Sequence, residues 1–245
     1  MSGLVVGSVI DSFANAIEFI FEPQQGPRAA ADEVGGLGEV WELMWTQIWI
    51  SALALAIACA IAIPVGLYLG HRGTGELLAV AIGNAGRAIP ELVLIAAMAA
   101  FIGVGVLNVT IALMILGIPP ILTNTFVGVR QVDRGAVEAA RGMGMTELEV
   151  IRRIELPLAV PTLMSGVRTG AITIVATATI APLAGVLTLG DFIINRGVYG
   201  EEGVLAGAIL VALLALAFEL ALAGLQRLLT PRGLELQREP ARATA

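Results

Sequence analysis

The feature that most constrains this chain is a series of five apolar runs, each long enough to cross a bilayer as a helix. A bilayer core about 30 Å thick requires about 20 apolar helical residues. Of the 245 residues, 57% are hydrophobic and only 14% are charged, which is more apolar surface than one soluble core of this size can hold. The sequence therefore predicts an all-α integral membrane protein with five transmembrane helices, at residues 43–69, 77–102, 106–127, 158–183 and 204–229.

The first 21 residues have a polar stripe and an apolar stripe at helical spacing. The polar stripe contains Asp11, Asn15 and Glu18, and the apolar stripe contains Phe13 and Ile17. This pattern predicts an amphipathic helix lying at the outer membrane interface. A sixth span, with its polar stripe turned toward the other helices, is the alternative.

The predicted spans divide the chain into three parts. Residues 1–40 form the amphipathic segment and an external linker at 22–39, which contains Gly, Pro and acidic residues. Residues 41–230 form the transmembrane domain. Residues 231–245 form a tail.

The distribution of arginine predicts the orientation, because cytoplasmic loops are enriched in positive charge. The chain has 14 basic residues, and its sequence contains no lysine. If the loop between the third and fourth predicted spans is inside, only Arg28 and Arg196 lie outside. The N-terminal region is then outside and the C-terminus is cytoplasmic. The inside set is Arg72, Arg130, Arg134, Arg141, Arg152, Arg153, Arg227, Arg232, Arg238 and Arg242.

Composition also excludes several kinds of site. Without lysine there is no Gly-x-x-x-x-Gly-Lys phosphate loop, so the chain does not hydrolyse ATP by that device. A single Cys59 and a single His71 exclude a disulfide framework and a Cys/His metal cluster built by this chain alone. We expect both residues to be bystanders. The net charge of −6 disfavours a nucleic-acid partner.

The longest polar stretch within the hydrophobic part covers residues 130–155. Residues 133–141 can form a short helix, and Gly142 and Gly144 can form a turn, because glycine adopts positive φ without steric cost. Thr146 and Glu149 match a capping box that opens a second helix. We expect residues 156–157 to end that helix and start the fourth span. By spacing alone, the stretch fits equally well a charged hairpin that only joins two spans.

This stretch resembles the EAA signature of permeases from binding-protein-dependent ABC importers. The matching residues are Glu138, Ala139, Ala140, Gly144, Ile154, Leu156 and Pro157. The resemblance implies a type I importer transmembrane domain whose short cytoplasmic coupling helices, here residues 131–157, dock on a nucleotide-binding subunit. It implies that Glu138 anchors the segment by polar contacts, that Ala139 and Ala140 permit close docking, and that Gly144 makes the turn. Arg141, Gly142 and Met143 complete the predicted coupling set.

Four stretches, one of them within the coupling signature, resemble one branch of that family, the osmoprotectant permeases that import glycine betaine, carnitine, choline or proline-like solutes. They are residues 84–91 (NAGRAIPE), 118–129 (IPPILTNTFVGV), 138–146 (EAARGMGMT) and 187–194 (LTLGDFII). The resemblance implies a multi-pass permease in a bacterial inner membrane, without enzymatic activity or a cofactor of its own. It implies three partners: an ATPase subunit that binds the ATP, an extracytoplasmic solute-binding protein, and a second permease, identical or similar.

Charged and polar residues at membrane depth are the candidates for a translocation pathway. Arg87 and Glu91 are four residues apart on either side of Pro90, so we expect them on one helical face, as a structural pair or as part of a gate. Asn84, Asn124 and Thr125 are further candidates for polar lining. We expect kinks or unwound turns at the prolines near or within spans, which are Pro64, Pro90, Pro119, Pro120 and Pro161.

Other functions remain open at this point. The coupling signature also fits an ABC importer for another small solute, such as an amino acid or a sulfonate. Arg87 and Glu91 are the best support for a channel or carrier that works without an ATPase. A membrane enzyme is disfavoured, because no histidine lies within a span and because Glu91 and Glu219 show no evident partnership as paired carboxylates. Asp191, in a predicted outer loop, is a candidate contact for a binding protein.

Overall fold

The computed structural model describes residues 2–27 and 33–230 and consists almost entirely of helices. The predicted tail at 231–245 lies outside the described residues. The helices are α1 Ser2–Phe21, α2 Gly36–Arg72, α3 Glu76–Ala88, α4 Glu91–Ile102, α5 Val106–Arg130, α6 Arg134–Gly142, α7 Glu147–Val150, α8 Leu156–Thr177, α9 Gly190–Ile194 and α10 Arg196–Leu229. A π-helical turn, Ile151–Glu155, joins α7 to α8, and a 3₁₀ segment, Ala178–Ala184, follows α8.

Four helical runs in the described part of the chain are long and apolar enough to cross a membrane. They are Gly36–Arg72, Val106–Arg130, Glu147–Ala184 and Arg196–Leu229, and they contain the first, third, fourth and fifth predicted spans. At 1.5 Å per residue, the 37 residues of α2 extend about 55 Å, which exceeds the bilayer core. The all-α membrane fold is thus confirmed, and the ends of α2 project beyond the hydrocarbon region.

The second predicted span, at residues 77–102, consists of two helices, which confirms the break expected at Pro90. α3 ends at Ala88 and α4 begins at Glu91, and Ile89 between them has the extended angles φ −79° and ψ 118°. Pro90 explains the break, because its ring disfavours the helical conformation of the preceding residue and it has no N–H to donate. α4 alone is a short apolar helix of 12 residues.

The other prolines do not produce such a break. α2 continues through Pro64, α5 through Pro119 and Pro120, and α8 through Pro161. Of the five prolines expected to unwind or kink a helix, Pro90 alone separates two helices.

The predicted linker at 22–39 has more structure than expected where it is described. The strands β1 Pro23–Gln25 and β2 Glu33–Gly35 pair antiparallel, and α2 begins at Gly36. Gly35 has φ +83° and its backbone N–H donates to the Glu39 carboxylate at 2.7 Å. The hairpin therefore leads directly into the first turn of α2.

α1 confirms the predicted helix over residues 2–21. Its exposed apolar residues recur at helical spacing: Ile10, Phe13, Ile17 and Phe21. Phe19 is fully buried instead, and its ring packs edge-on against the ring of Phe192 at 5.3 Å between centroids. The side chains of residues 2–9 lie outside the description. That α1 lies at the interface rather than spanning the membrane stays a prediction.

The chain divides into two compact units. The first contains Met1–Ala54, Glu91–Leu113 and Ile174–Ala217. Its core includes Gln47, which is fully buried, donates to the carbonyl of Val175 at 3.0 Å and accepts from the N–H of Leu189 at 3.1 Å. This one side chain thus connects α2, the end of α8 and the segment before α9.

The second unit contains Leu55–Pro90, Met114–Thr173 and Phe218–Ala245. Its helices approach closely at glycines: a Cβ placed on Gly66 of α2 would lie 2.7 Å from the Cβ of Thr125 in α5. Small residues permit such backbone contact where lipid provides no hydrophobic drive for helix association. This unit holds the segment that carries the predicted coupling signature.

Candidate functional site

The predicted coupling segment, residues 131–157, begins with a capped helix. The Asp133 carboxylate accepts from the backbone N–H of Gly135 at 3.0 Å and caps α6. After α6, Gly144 adopts φ +84°, a left-handed conformation that costs a residue with a Cβ about 1–2 kcal/mol. The short helix and the glycine turn predicted from sequence are confirmed, with the turn at Gly144 and Gly142 still helical.

The predicted capping box is also confirmed. The Thr146 hydroxyl accepts from the N–H of Glu149 at 3.4 Å, and the Glu149 carboxylate accepts from the N–H of Thr146 at 3.0 Å. These reciprocal bonds satisfy backbone donors that the start of a helix leaves unpaired.

The end of this second helix differs only in part from the prediction, because α8 does begin at Leu156 as expected. Leu156 and Pro157 do not end it, because the helical run continues from Glu147 to Ala184 through the π turn. At this turn the N–H of Leu156 bonds to the carbonyl of Ile151, five residues back. Pro157 has no N–H for the carbonyl of Arg153 and its ring crowds that carbonyl, which favours a wider turn here. The coupling segment and α8 are therefore one uninterrupted helical element.

The segment has a small hydrophobic core of its own. Val132, Val137, Ala140 and Val150 are buried together, and Met145 and Ile154 pack against them. Ala140 is fully buried within this cluster, whereas Ala139 is exposed. The expected docking contact of Ala140 does not fit this position, because its methyl group faces the interior and lets α6 pack closely on the next helix.

The outer surface of the segment combines charge with exposed apolar side chains. Glu138 and Arg141 are exposed, and Met143 is 72% exposed in the turn. Leu148, which we did not single out from the sequence, is 56% exposed between two glutamates of α7. Two solvent-facing apolar side chains on a charged helix pair form a surface suited to contact with another protein.

The structure reverses the expectation that His71 is a bystander. Its side chain, at the end of α2, is only 8% exposed and lies between two carboxylates. Nδ1 is 2.7 Å from Oε2 of Glu155, and Nε2 is 2.9 Å from Oε2 of Glu147. Glu155 itself is 1% exposed. No spacing rule could find these contacts, since 84 residues separate His71 from Glu155.

Arg141 extends this polar cluster to the surface. Its Nη2 lies 2.9 Å from the same Glu147 oxygen that contacts His71, and its Nε donates to the other oxygen at 3.1 Å. The hydrogen bond to Glu147 raises the pKa of Arg141 above its ordinary value. Arg141, predicted as part of the coupling set, is thereby joined through Glu147 to the end of α2.

The predicted pathway residues do not form one group. Arg87 is in α3 and Glu91 is the first residue of α4, so the break at Pro90 removes the helical face they were expected to share. The side chain of Arg87 lies outside the description, and Asn84, Pro90 and Glu91 are exposed.

Two other candidates bond to their own helix. Asn124 Nδ2 donates to the carbonyl of Pro120 at 2.8 Å, and the Thr125 hydroxyl donates to the carbonyl of Ile121 at 2.7 Å. Thr125 is fully buried against Gly66, so it packs between α2 and α5 instead of lining a pathway. Asn124 is half-buried.

Glu219, which showed no evident partnership with Glu91 in the sequence, forms an ion pair with Arg168. Arg168 in α8 also donates from Nη1 to the side-chain oxygen of Gln226 at 3.3 Å. Both charged residues lie within spanning helices, where an unpaired charge is costly. Each compensates the other, and the pair connects α8 to α10 within the second unit.

Asp191 does not fit an exposed contact for a binding protein. It is 5% exposed, and its carboxylate accepts from the Tyr199 hydroxyl at 2.9 Å and from Asn195 Nδ2 at 2.5 Å. The Tyr199 hydroxyl also lies 2.9 Å from Oε1 of Glu39. Tyr199 therefore joins α2 and α9 within the first unit.

Comparison with known proteins identifies what this chain is similar to. A family model described as "binding-protein-dependent transport system inner membrane component" matches residues 62–233. The carnitine transport permease protein OpuCB of Listeria monocytogenes is 38% identical over 196 residues, which cover 80% of this chain and 90% of the relative. The choline transport system permease protein OpuBB of Bacillus subtilis is 35% identical over 203 residues, 82% of this chain and 94% of the relative.

The fold has a counterpart among solved structures. An inward-facing structure of the MetNI methionine ABC transporter contains a chain that superimposes with a TM-score of 0.70 at 23% identity. The match covers 80% of this chain and 98% of that one. The expected architecture, a type I ABC importer transmembrane domain, is confirmed.

Proposed function

Because this chain belongs to the family of binding-protein-dependent transport system inner membrane components, we propose that it is the permease of an importer for a compatible solute such as carnitine, choline, glycine betaine or proline. The observation that carries this proposal is the coupling segment. It is a capped helix pair with its own core, it exposes Met143 and Leu148, and it continues without interruption into a spanning helix.

This geometry suits transmission of force between a partner subunit and the membrane. A subunit that moves the coupling segment also moves α8, because the π turn keeps the two helically continuous. ATP binding and hydrolysis belong to that separate subunit in this proposal. The chain is not an enzyme and holds no cofactor.

The assembly contains three further components. One is the ATPase, one is a second permease that is identical or similar, and one is an extracytoplasmic protein that binds the solute. The coupling segment, with Arg134, Arg141, Arg152 and Arg153, faces the cytoplasm, in accord with the enrichment of positive charge on that side. The N-terminal region lies outside and the C-terminus inside a bacterial inner membrane.

Gentle purification through a C-terminal tag, followed by reconstitution in liposomes, tests this function. We expect an ATPase and a binding protein to co-purify, and ATP-driven uptake of a labelled solute to be competed by carnitine, choline, glycine betaine or proline. Competition only by an amino acid other than proline, or only by a sulfonate, would mean that the importer takes up a different class of small solute. Recovery of the chain alone after mild crosslinking, with uptake that needs no ATP, would indicate a channel or carrier instead.

Cysteine labelling tests the orientation. With Cys59 replaced by serine, a cysteine at exposed Arg196 should react with an impermeant reagent added to intact cells. A cysteine at exposed Met143 should react only after the membrane is permeabilised. The opposite pattern would invert the proposed topology.

A further inference from the structure

We propose that His71 is a positioning residue that fixes the coupling segment to the end of α2, and that it does so as an imidazolium held between Glu147 and Glu155. The effect of His71 on transport rests on the proposed function. The protonation state and the contacts can be measured on this chain without any partner.

The His71 ring makes two contacts at once. Nδ1 and Nε2 of His71 each lie within 2.9 Å of a carboxylate oxygen. A neutral imidazole has one N–H, so one of these contacts would bring a nitrogen lone pair against an oxygen lone pair. Both contacts become hydrogen bonds when the ring is doubly protonated. A neutral histidine between two ionised carboxylates therefore lacks one of the protons that these two hydrogen bonds need.

The surrounding charges fit an imidazolium. Glu147 and Glu155 contribute two negative charges, and Arg141, bonded to Glu147, contributes one positive charge. A protonated His71 brings the sum of these four groups to zero. It also places a positive charge at the C-terminal end of α2, where the helix dipole favours one. The neighbouring Arg72 lies over the Tyr68 ring at 5.4 Å.

The positions of Glu147 and Glu155 determine which part of the chain His71 holds in place. Glu147 is the first residue of α7, and Glu155 is the last residue of the π turn. His71 therefore binds this helical stretch at both of its ends from a single point on α2. Without the ring, Glu155 loses the bond to its Oε2, while its buried Oε1 has no hydrogen-bond partner among the described residues. The coupling segment would then be free to shift relative to α2.

The chain allows a direct measurement, because His71 is its single histidine. In protein labelled with ¹⁵N-histidine and purified through a tag without histidine, the two imidazole nitrogens report on this residue alone. Histidine changes charge between about pH 5 and 8, so the spectra are recorded across that range. We expect both nitrogens to be protonated where both contacts are intact, and Glu147→Gln to contain more neutral imidazole than the wild type at the same pH, because one carboxylate that bonds to the charged ring is lost.

Two results of the spectra would overturn the proposed role of His71. One is a neutral ring throughout that range. The other is a titration that is the same in Glu147→Gln, whose altered side chain is exposed and so tolerates the change. This measurement needs no ATPase, so it tests the protonation state and contacts of His71 even if ATP-driven uptake fails.

The consequence for transport is measured as solute imported per ATP hydrolysed by the reconstituted complex. We expect His71→Gln to lower this ratio about fivefold, a size typical of coupling between contacting residues. The ratio is also recorded across about pH 5 to 8, the range in which histidines change charge, and His71→Gln should remove the pH dependence that this ring contributes. Arg72→Gln, next in sequence but outside the cluster, should retain the wild-type ratio and pH profile.

A double-mutant cycle distinguishes loss of the contact between His71 and Glu147 from general damage to the protein. Glu147→Gln should lower the ratio, and the double variant with His71→Gln should be no worse than His71→Gln alone. Additive losses would mean that the two residues act separately, which overturns the positioning role. A wild-type ratio and pH profile in His71→Gln would overturn it as well.

Discussion

Two polar clusters of this chain each place one side chain against two carboxylates, but the two side chains differ in the number of protons they can donate. In the second unit, His71 faces two carboxylates through two nitrogens; in the first, Tyr199 faces Glu39 and Asp191 through one hydroxyl. An imidazole can take a second proton and donate to both partners, whereas a hydroxyl has one proton to donate. The difference teaches that both contacts of the histidine can be hydrogen bonds at once, whereas the two carboxylates around the tyrosine share a single donated proton. We therefore assign coupling to the first and packing to the second.

The largest expected effect tests the coupling segment itself. Gly144→Val should abolish ATP-driven uptake while membrane insertion remains, because a β-branched residue strongly disfavours φ +84° and the turn between α6 and α7 would rearrange. Uptake in vesicles, with the amount of inserted protein measured alongside, checks this. Gly142→Ala is the matched control, since Gly142 is helical and has open space around its α-carbon. Normal uptake by Gly144→Val would count against the docking role.

The exposed apolar surface of the segment should have the next largest effect. Leu148→Asp should sharply reduce co-purification of the ATPase, because a charge replaces an apolar contact in the proposed interface. Val104→Asp is the control: Val104 is 72% exposed and lies in the first unit, in the loop before α5. Equal losses in both variants would show that any added charge is harmful and would remove Leu148 from the interface.

The two neighbouring alanines separate packing from docking within one helix. Ala140→Leu should overfill the small core and lower the stability of the protein by about 1–3 kcal/mol. Ala139→Leu should leave the thermal unfolding temperature unchanged and weaken ATPase binding, because Ala139 is exposed. Unfolding temperature and co-purification are measured for both. The reverse pattern would contradict the assignment of Ala140 to the interior.

The smallest expected effect on transport comes from the tyrosine cluster. Tyr199→Phe removes the hydroxyl that bonds to Asp191, leaving a buried carboxylate less satisfied, at a cost of about 1–3 kcal/mol in stability. The solute imported per ATP, and its pH profile, should match the wild type. A flattened pH profile in Tyr199→Phe would erase the contrast between the two clusters.

Local rules predicted the coupling segment well. Asp133, Gly144, Thr146 and Glu149 act through bonds or backbone angles within a few residues, so their order in the sequence contains the information. At residues 77–102 the hydropathy continues across Pro90, whereas the local rule for proline correctly indicated the break between α3 and α4. There the steric effect of proline on the residue before it outweighed apolar composition.

Side chains that meet across long stretches of sequence were missed. His71 with Glu155 and Arg168 with Glu219 are 84 and 51 residues apart. From the sequence, His71 was expected to be a bystander, and the pairing of Arg168 with Glu219 was not predicted. It placed Asp191 at the surface, although Tyr199 and Asn195 enclose it.

By itself, the sequence determined that this chain is a helical membrane protein, where most of its spans lie, and the caps and turn of its coupling segment. These follow from hydropathy over about 20 residues and from bonds between near neighbours. The tertiary structure alone decided which charges are paired, which of two adjacent alanines is buried, and that a lone histidine holds the coupling segment from α2. Those outcomes depend on which helix faces which, and that is set by the packing of the whole unit.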